Sequence, residues 1–216
     1  MKITVIGGGS TYTPELVSGF LQRSSRLPLD ELCLMDIDAQ RLEVVGGFAQ
    51  RMLQAGGAPF RLSLSQDQRQ ALSGAAYVIT QLRVGMMPAR RGDEYLGKRH
   101  GLIGQETTGV GGMAKALRTI PVLLSIAGDM RSLAPGALLL NFTNPAGLIT
   151  EALSRWAPDI PAAGVCNVGI TTKMKMLAQV EQLLGEPVDP DRAVLHTLGL
   201  NHLTWHRGFS LDGEDL

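Results

Sequence analysis

The chain opens on Lys2-Ile3-Thr4-Val5-Ile6 and runs directly into Gly7-Gly8-Gly9-Ser10-Thr11-Tyr12-Thr13-Pro14-Glu15. A short, largely β-branched run that meets three consecutive glycines predicts a strand at 2–6 ending in a sharp turn. Thr13 and Pro14 then supply a helix cap and a first-turn residue, so a helix is expected over 14–24. A strand, a glycine turn and a helix form the first half of a βαβ unit, and a parallel second strand has to follow. That start commits the chain to an α/β fold. Its glycines allow a backbone to approach a pyrophosphate, whose charge the helix N-terminus favours. Gly7, Gly8 and Gly9, with Ser10 and Thr11, are therefore candidate cofactor residues. The match to the dinucleotide fingerprint is partial, because Tyr12 stands at its last glycine position. A second mark agrees with it: the strand expected over 31–36 ends in Asp36, an acidic group placed to hydrogen-bond an adenosine ribose. No basic residue directly follows Asp36, which favours NAD over NADP. An ordinary glycine turn beside a helix-capping Asp is the competing account.

Apolar runs and helical periods keep alternating: helix 39–55, a β-like stretch 59–64, strand 75–81, a polar, Gly-rich interval 84–112, and a long helix 113–133. Strand 137–141, helix 146–156 and strand 160–165 follow. Strands this uniformly apolar belong in a parallel sheet covered on both faces, so the fold class is α/β, a Rossmann-like doubly wound sheet of the lactate/malate dehydrogenase kind. Beyond it lie a helix at 171–184, a Pro-rich turn at 187–190 and strand-like runs at 193–200 and 203–211, the start of a second, α+β domain. The expected division is a nucleotide-binding domain at 1–165 and the beginning of another domain at 166–216. The closing Asp212-Gly213-Glu214-Asp215-Leu216 is a turn signature, and the chain is expected to be the N-terminal part of a longer protein. With 20 Lys+Arg against 20 Asp+Glu there is no electrostatic footprint for nucleic acid or an anionic membrane. The N-terminal apolar run is too short for a signal-peptide core. Cys33 and Cys166 are far apart in unlike contexts, which argues against a disulfide framework and for a reducing cytoplasm.

Several residue groups carry possible chemistry. Arg83, Arg90, Arg91, Lys98, Arg99 and His100 share one interval with Asp93 and Glu94, after the strand 75–81. A guanidinium there suits bidentate grip of an anionic substrate; a solvated helix and loop is the plainer account. Cys166 and His202 are the Cys/His pair lying where a sheet collects ligands, and a thiolate with an imidazole suits a borderline divalent ion. On spacing alone a buried thiol and a core imidazole are the favoured account. Asn141 and Asn144-Pro145 close the strand 137–141, where an amide can serve a sugar or a nicotinamide ribose, or simply make an Asx turn. Glu106 lies in a glycine-rich loop, able to tune a neighbouring base.

Taken together these strings resemble one family. Ile6-Gly7-Gly8-Gly9-Ser10-Thr11, Arg83-Val84-Gly85 with Arg90 and Asp93-Glu94, Gly104-Gln105-Glu106-Thr107, Asn141-Phe142-Thr143-Asn144-Pro145, Cys166-Asn167-Val168 and Gly199-Leu200-Asn201-His202 follow the order found in family 4 glycoside hydrolases. Cys-Asn at 166–167 is most similar to the 6-phospho-β-glucosidases. Members acting on unphosphorylated α-glycosides tend to carry Cys-His there, and phospho-α-glucosidases Cys-Asp. The resemblance implies an NAD-dependent mechanism outside the two-carboxylate scheme. Hydride leaves sugar C3, the C2 proton becomes acidic, the C1 substituent is eliminated, water adds and the hydride returns. A divalent metal, usually Mn²⁺, would act as Lewis acid at the C2 and C3 oxygens.

Carried onto this sequence, the resemblance makes Cys166 and His202 metal ligands. Arg83 would join the cofactor site, and Arg90, Asn144 and Asn167 would contact substrate. Glu106 would raise the basicity of the tyrosine that takes the C2 proton, a tyrosine outside the matched region. Asn167 stands where phospho-α members place an acidic proton donor. The implied substrate is a phosphorylated disaccharide or β-glucoside, and the implied assembly a homodimer or homotetramer. The alternatives are a 6-phospho-α-glucosidase or α-galactosidase of the same family, an NAD-dependent 2-hydroxy-acid dehydrogenase, and a nucleotide-sensing module without chemistry.

Overall fold

The computed structural model describes residues 1–200 and 203–216. It divides into two compact units, Met1–Val165 and Cys166–Leu216. In the first unit β1 (Lys2–Ile6), α1 (Thr13–Gln22), β2 (Glu31–Met35), α2 (Ala39–Ala55) and β3 (Arg61–Ser65) follow the expected alternation. Then come α3 (Gln68–Leu72), β4 (Tyr77–Thr80), α4 (Met86–Arg99), α5 (Gly109–Leu133), β5 (Leu138–Asn141), α6 (Ala146–Trp156) and β6 (Ala162–Gly164). All six strands pair in parallel in the order β3-β2-β1-β4-β5-β6. The order reverses between β1 and β4, and the crevice at the carboxyl ends of those two strands is where such sheets collect ligands.

Strand alternation divides the core in two. Ile3 and Val5 of β1 and Leu32 and Leu34 of β2 face Val17 of α1 and Leu42, Ala49 and Leu53 of α2. Ile6, Cys33, Met35, Val78 and Leu139 face the other way, against Leu72, Leu123, Ile126, Met130, Ile149 and Leu153. α5 is long and apolar enough to cross a membrane by length and composition. Here Leu123, Ile126, Ala127 and Met130 of α5 pack into the core against the sheet, while Met113 and Leu117 are exposed.

Two elements depart from the sequence expectation. No sequence signal marks the short helix α3, and the interval 84–112, expected to be polar and Gly-rich, contains the fourteen-residue helix α4. α4 buries only Asp93 and Gly97, so it has almost no apolar stripe to announce it. What holds it is backbone proximity and charge. A Cβ on Gly104 would come within 2.2 Å of Glu94 O, and one on Gly111 within 2.1 Å of Gln105 O and 2.8 Å of Asp93 O. These glycines let the connection between α4 and α5 close up rather than break it.

The second unit holds α7 (Val168–Leu184), a 3₁₀ turn at Pro190–Arg192, and an antiparallel sheet of β7 (Ala193–Leu200), β8 (Leu203–Leu211) and β9 (Glu214–Asp215). Its small core is Leu177, Val188, Ala193 and Phe209.

Candidate active site

The glycine turn after β1 is stitched at every residue. The N–H groups of Gly7 and Gly8 both donate to Met35 O, at 2.9 and 2.7 Å, and that of Ser10 to Gly7 O at 3.1 Å. Gly7 has φ +93, and a Cβ there would lie 2.8 Å from Gln81 O. A Cβ on Gly8 would lie 2.7 Å from Leu34 Cβ, so only glycine fits this passage between β2 and β4. Thr13, expected as a helix cap, makes no cap bond to α1. Its hydroxyl instead donates to Gly8 O at 2.8 Å and accepts from Gln81 Nε2 at 2.8 Å, tying α1, the turn and the end of β4 together. Among the described residues the Thr11 N–H has no acceptor, so it stays open to a phosphate at the mouth of α1.

Asp36 follows β2 directly. Its carboxylate accepts from Gly9 N–H at 2.8 Å and from Asp38 N–H at 3.0 Å. Two backbone donors on separate segments fix its orientation beside the turn and leave lone pairs for a further donor. A glycine cradle, an open amide at a helix start and an aimed carboxylate together fit a dinucleotide.

Of the cations expected in 83–100, Arg91 and Lys98 lie over the Tyr95 ring, 5.4 and 5.1 Å from its centroid, while two carboxylate-centred sets each draw in a cation from α5. Arg118, which the sequence reading did not single out, pairs with Asp93 through both guanidinium nitrogens, at 3.2 and 2.6 Å, and donates to Val84 O at 3.0 Å. That pair joins α4 to α5. The second set gathers on Glu106. One carboxylate oxygen accepts from both Arg83 and Lys115, and the other lies 3.2 Å from Arg90 Nη1. Arg90 is also bound at 2.8 Å by Glu94, one helical turn away. Lys115 was missed as well; a Lys and an Arg three apart in the otherwise uncharged first half of α5 is the signal that could have found Lys115 and Arg118.

Burial works against both ends of the Glu106–Lys115 pair. It pushes the Glu106 carboxyl up, but hydrogen bonds and charge from Lys115 and Arg83 outweigh it and hold the carboxyl below its usual range. Burial lowers the Lys115 ammonium, and Glu106 opposes that without cancelling it. The hydrogen bond that Arg90 donates to Glu94, ahead of the nearby Glu106 charge, raises Arg90. Glu106 is thus a carboxylate held among cations, with Lys115 almost fully enclosed and Arg83 and Arg90 about one-third exposed.

Asn141 takes the turn-forming of its two expected roles. It is fully buried, its Oδ1 accepting from Thr80 Oγ1 at 2.9 Å and Thr143 N–H at 3.2 Å, and its Nδ2 donating to Thr143 O at 3.1 Å. Its oxygen and nitrogen are engaged by β4 and by the turn after β5, and the side chain is closed off from solvent. Thr143 Oγ1 in turn accepts from Leu82 N–H at 3.0 Å, which ties this turn to the loop carrying Arg83. Asn144 is exposed at the same edge and precedes a cis Pro145.

Cys166 and Asn167 begin the second unit, where both are exposed and Cys166 Sγ lies 3.9 Å from Asn167 Oδ1. His202 lies outside the described residues. Among the described residues no group of three His, Cys, Asp or Glu side chains could hold a metal ion.

The model for the family described as "Family 4 glycosyl hydrolase" matches residues 2–182. A probable 6-phospho-beta-glucosidase of Bacillus subtilis is 47% identical over 215 residues, 99% of this chain and 47% of its own length. The solved 6-phospho-beta glucosidase of Thermotoga maritima, in complex with manganese, NAD+ and glucose-6-phosphate, superposes with a TM-score of 0.87 at 37% identity. That superposition covers all of this chain and 50% of the other. The malate dehydrogenase of Cryptosporidium parvum shares the fold alone, at a TM-score of 0.60 and 15% identity. The chain spans about half the length of the curated relatives it matches.

Proposed function

Since this chain belongs to the family 4 glycosyl hydrolases, we propose that the whole protein hydrolyses 6-phospho-β-glucosides with the help of NAD and a divalent metal, manganese first. The observation that carries the reading is the glycine turn braced to Asp36 at the switch point, in a chain 47% identical to a relative named for that activity. When bound, NAD⁺ would supply a reversible hydride acceptor, and a metal ion a Lewis acid. The net course would be oxidation at sugar C3, loss of the C2 proton, elimination at C1, addition of water and re-reduction.

This chain's residues would do the holding. Gly7, Gly8, Gly9, Ser10 and Thr11 would cradle the pyrophosphate, and Asp36 would accept from the adenosine ribose. Arg83, at the end of β4, would close the cofactor side of the crevice. Arg90, the most exposed cation on Glu106, would meet the anionic substrate, and Asn144 would contact it as well. Glu106 would fix both guanidinium groups; with its charge already engaged by three cations, positioning them is its first role, ahead of tuning a base. Cys166 with His202 would hold the metal and Asn167 would contact substrate. An amide is no proton donor comparable to an acid, so leaving-group protonation would fall to another group. The assembly would be a homodimer or homotetramer in the cytoplasm.

The test is release of p-nitrophenol from p-nitrophenyl β-glucoside 6-phosphate by the full-length protein, omitting NAD⁺, Mn²⁺ and reductant in turn. Cleavage that needs all three is expected, with the α-anomer and the unphosphorylated sugar much poorer. No cleavage of any glycoside, together with net NADH formation on malate or lactate, would overturn the reading in favour of a dehydrogenase.

A further inference from the structure

Arg41 stands on the first turn of α2, five residues past Asp36. A Cβ on Gly9 would lie 3.0 Å from Arg41 Cβ and 2.9 Å from Asp36 Oδ2, so the glycine turn, the carboxylate and the arginine stem converge on one point. The Arg41 N–H donates to Asp38 Oδ1 at 3.0 Å, which fixes the backbone of that turn. Long side chains on a helix lean toward its N-terminus, here toward Asp36 and the end of β2. Among the described residues the Arg41 guanidinium takes part in no hydrogen bond or ion pair. By contrast the half-buried Arg83, Arg90 and Arg118 are all engaged by carboxylates. Arg41 is half-buried too, and it leaves a five-donor planar fork unused beside the group expected to meet the adenosine ribose.

We propose that Arg41 recognises the 2′ position of the adenosine ribose, so that the site takes the 2′-phosphorylated dinucleotide NADP(H) as well as NAD(H), with Asp36 and Arg41 setting the ratio. The proposal rests on the reading that the glycine turn holds a dinucleotide. Asp36, oriented by Gly9 and Asp38, accepts from a 2′-hydroxyl and repels a 2′-phosphate. A guanidinium at the same point binds that phosphate through paired N–H donors and offsets the repulsion. The residue directly after Asp36 is Ile37, which by itself points to NAD alone. One turn of helix brings the cation back to the place that the sequence order leaves empty.

The test titrates NADH and NADPH, by the fluorescence of the bound nicotinamide, into the full-length protein and its R41A, R41K, D36N and D36N/R41A variants. The wild type should bind NADH more tightly than NADPH, and D36N should narrow that gap. In either background, removal of Arg41 should weaken NADPH about tenfold and NADH much less, and R41K should restore part of the loss. Equal weakening of both nucleotides by R41A would overturn the proposal, since Arg41 would then hold a part they share. So would the absence of NADPH binding to both the wild type and D36N. Failure of the wild type to bind NADH would instead remove the dinucleotide reading, and the proposal with it. Thermal unfolding of R41A and R41K beside the wild type separates loss of binding from loss of fold.

Discussion

Replacing Glu106 by Gln tests how the charge set around it is held. Lys115 is 3% exposed and Glu106 is its carboxylate partner, so the substitution leaves an ammonium enclosed with its opposite charge gone. Removing one partner of a buried ion pair costs about 3–5 kcal/mol. The lower end applies, because a Gln oxygen still accepts one hydrogen bond and the 14% exposure of the Glu106 side chain admits some water. The Arg83 and Arg90 contacts add little, since those side chains are 34% and 37% exposed and solvent screens them. The expected loss is about 3 kcal/mol, or about 6 °C or more in melting temperature for a chain of this size. Lys115→Met removes the buried charge and keeps the stem, leaving Glu106 to Arg83 and Arg90, and should cost about 1 kcal/mol or less. The double variant should then be more stable than E106Q alone, with a coupling of about 2 kcal/mol in a urea-unfolding cycle.

The pH dependence has a definite sign. The folded Glu106 carboxyl lies below its ordinary 4.5, so its stabilisation is complete above that value and is lost as pH falls through the lowered folded value. E106Q should lack this acid limb. In the same variant Lys115 has lost the partner that opposed its burial, so its folded value falls further below 10.5, and stability should rise with pH through the window between. A loss below about 1 kcal/mol for E106Q, or a double variant whose cost is the sum of the two singles, would refute the picture of Glu106 as the anchor of a buried cation.

Two further outcomes test the switch-point crevice. Gly8→Ala puts a methyl 2.7 Å from the Cβ of fully buried Leu34, which should cost about 1–3 kcal/mol by overpacking and abolish measurable NADH binding in a fluorescence titration. Asn141→Ala strips the acceptor from Thr80 Oγ1 and Thr143 N–H inside the core, and should lower stability by about 2–3 kcal/mol in urea unfolding.

The sheet was legible because its signals are local and repeated. Each of β1, β2, β4 and β5 carries its apolar residues in a short run with turn chemistry at its end, and α2, α5 and α6 carry theirs at helical spacing. The turn at Gly7 and the acid at Asp36 were legible for the same reason, since each is defined by its place at the end of a strand. α4 was not, because its stability comes from Asp93 meeting Arg118, 25 residues away, and from glycines that look like breakers yet permit close approach. Lys115 and Arg41 were missed through a shared cause: each acquires meaning only when the fold turns its helix back beside a carboxylate just outside that helix, Glu106 nine residues before Lys115 and Asp36 five before Arg41. Asn141 is the opposite case, where the ligand edge and the Asx turn are both legible. Its position at the ligand edge was read correctly, but sequence does not show that Thr80 and Thr143 would take up its amide completely. For His202 the question stays with the sequence, since it lies outside the described residues.

The stoichiometry of the ion pairs separates structural charge from charge available to a ligand. Arg118–Asp93, Arg69–Asp129, Arg131–Asp159 and Arg192–Asp212 are each one cation to one anion. Around Glu106 the balance differs: Arg83, Arg90 and Lys115 bring three positive charges, and Glu106 with Glu94 two negative, leaving an excess of one. Exposure is graded within that set, from 4% at the Lys115 side chain to 34% at Arg83 and 37% at Arg90. A buried cation fixes the carboxylate, the carboxylate fixes two arginines, and those arginines keep solvent-facing donors at the carboxyl end of β4. A cluster serving only to join α4 to α5 would need neither the surplus charge nor the gradient, because Arg118 and Asp93 already make that junction. An arrangement with its surplus at the accessible end is what an anionic ligand requires, and it makes Arg90 the group whose removal should weaken phosphorylated substrates more than neutral ones.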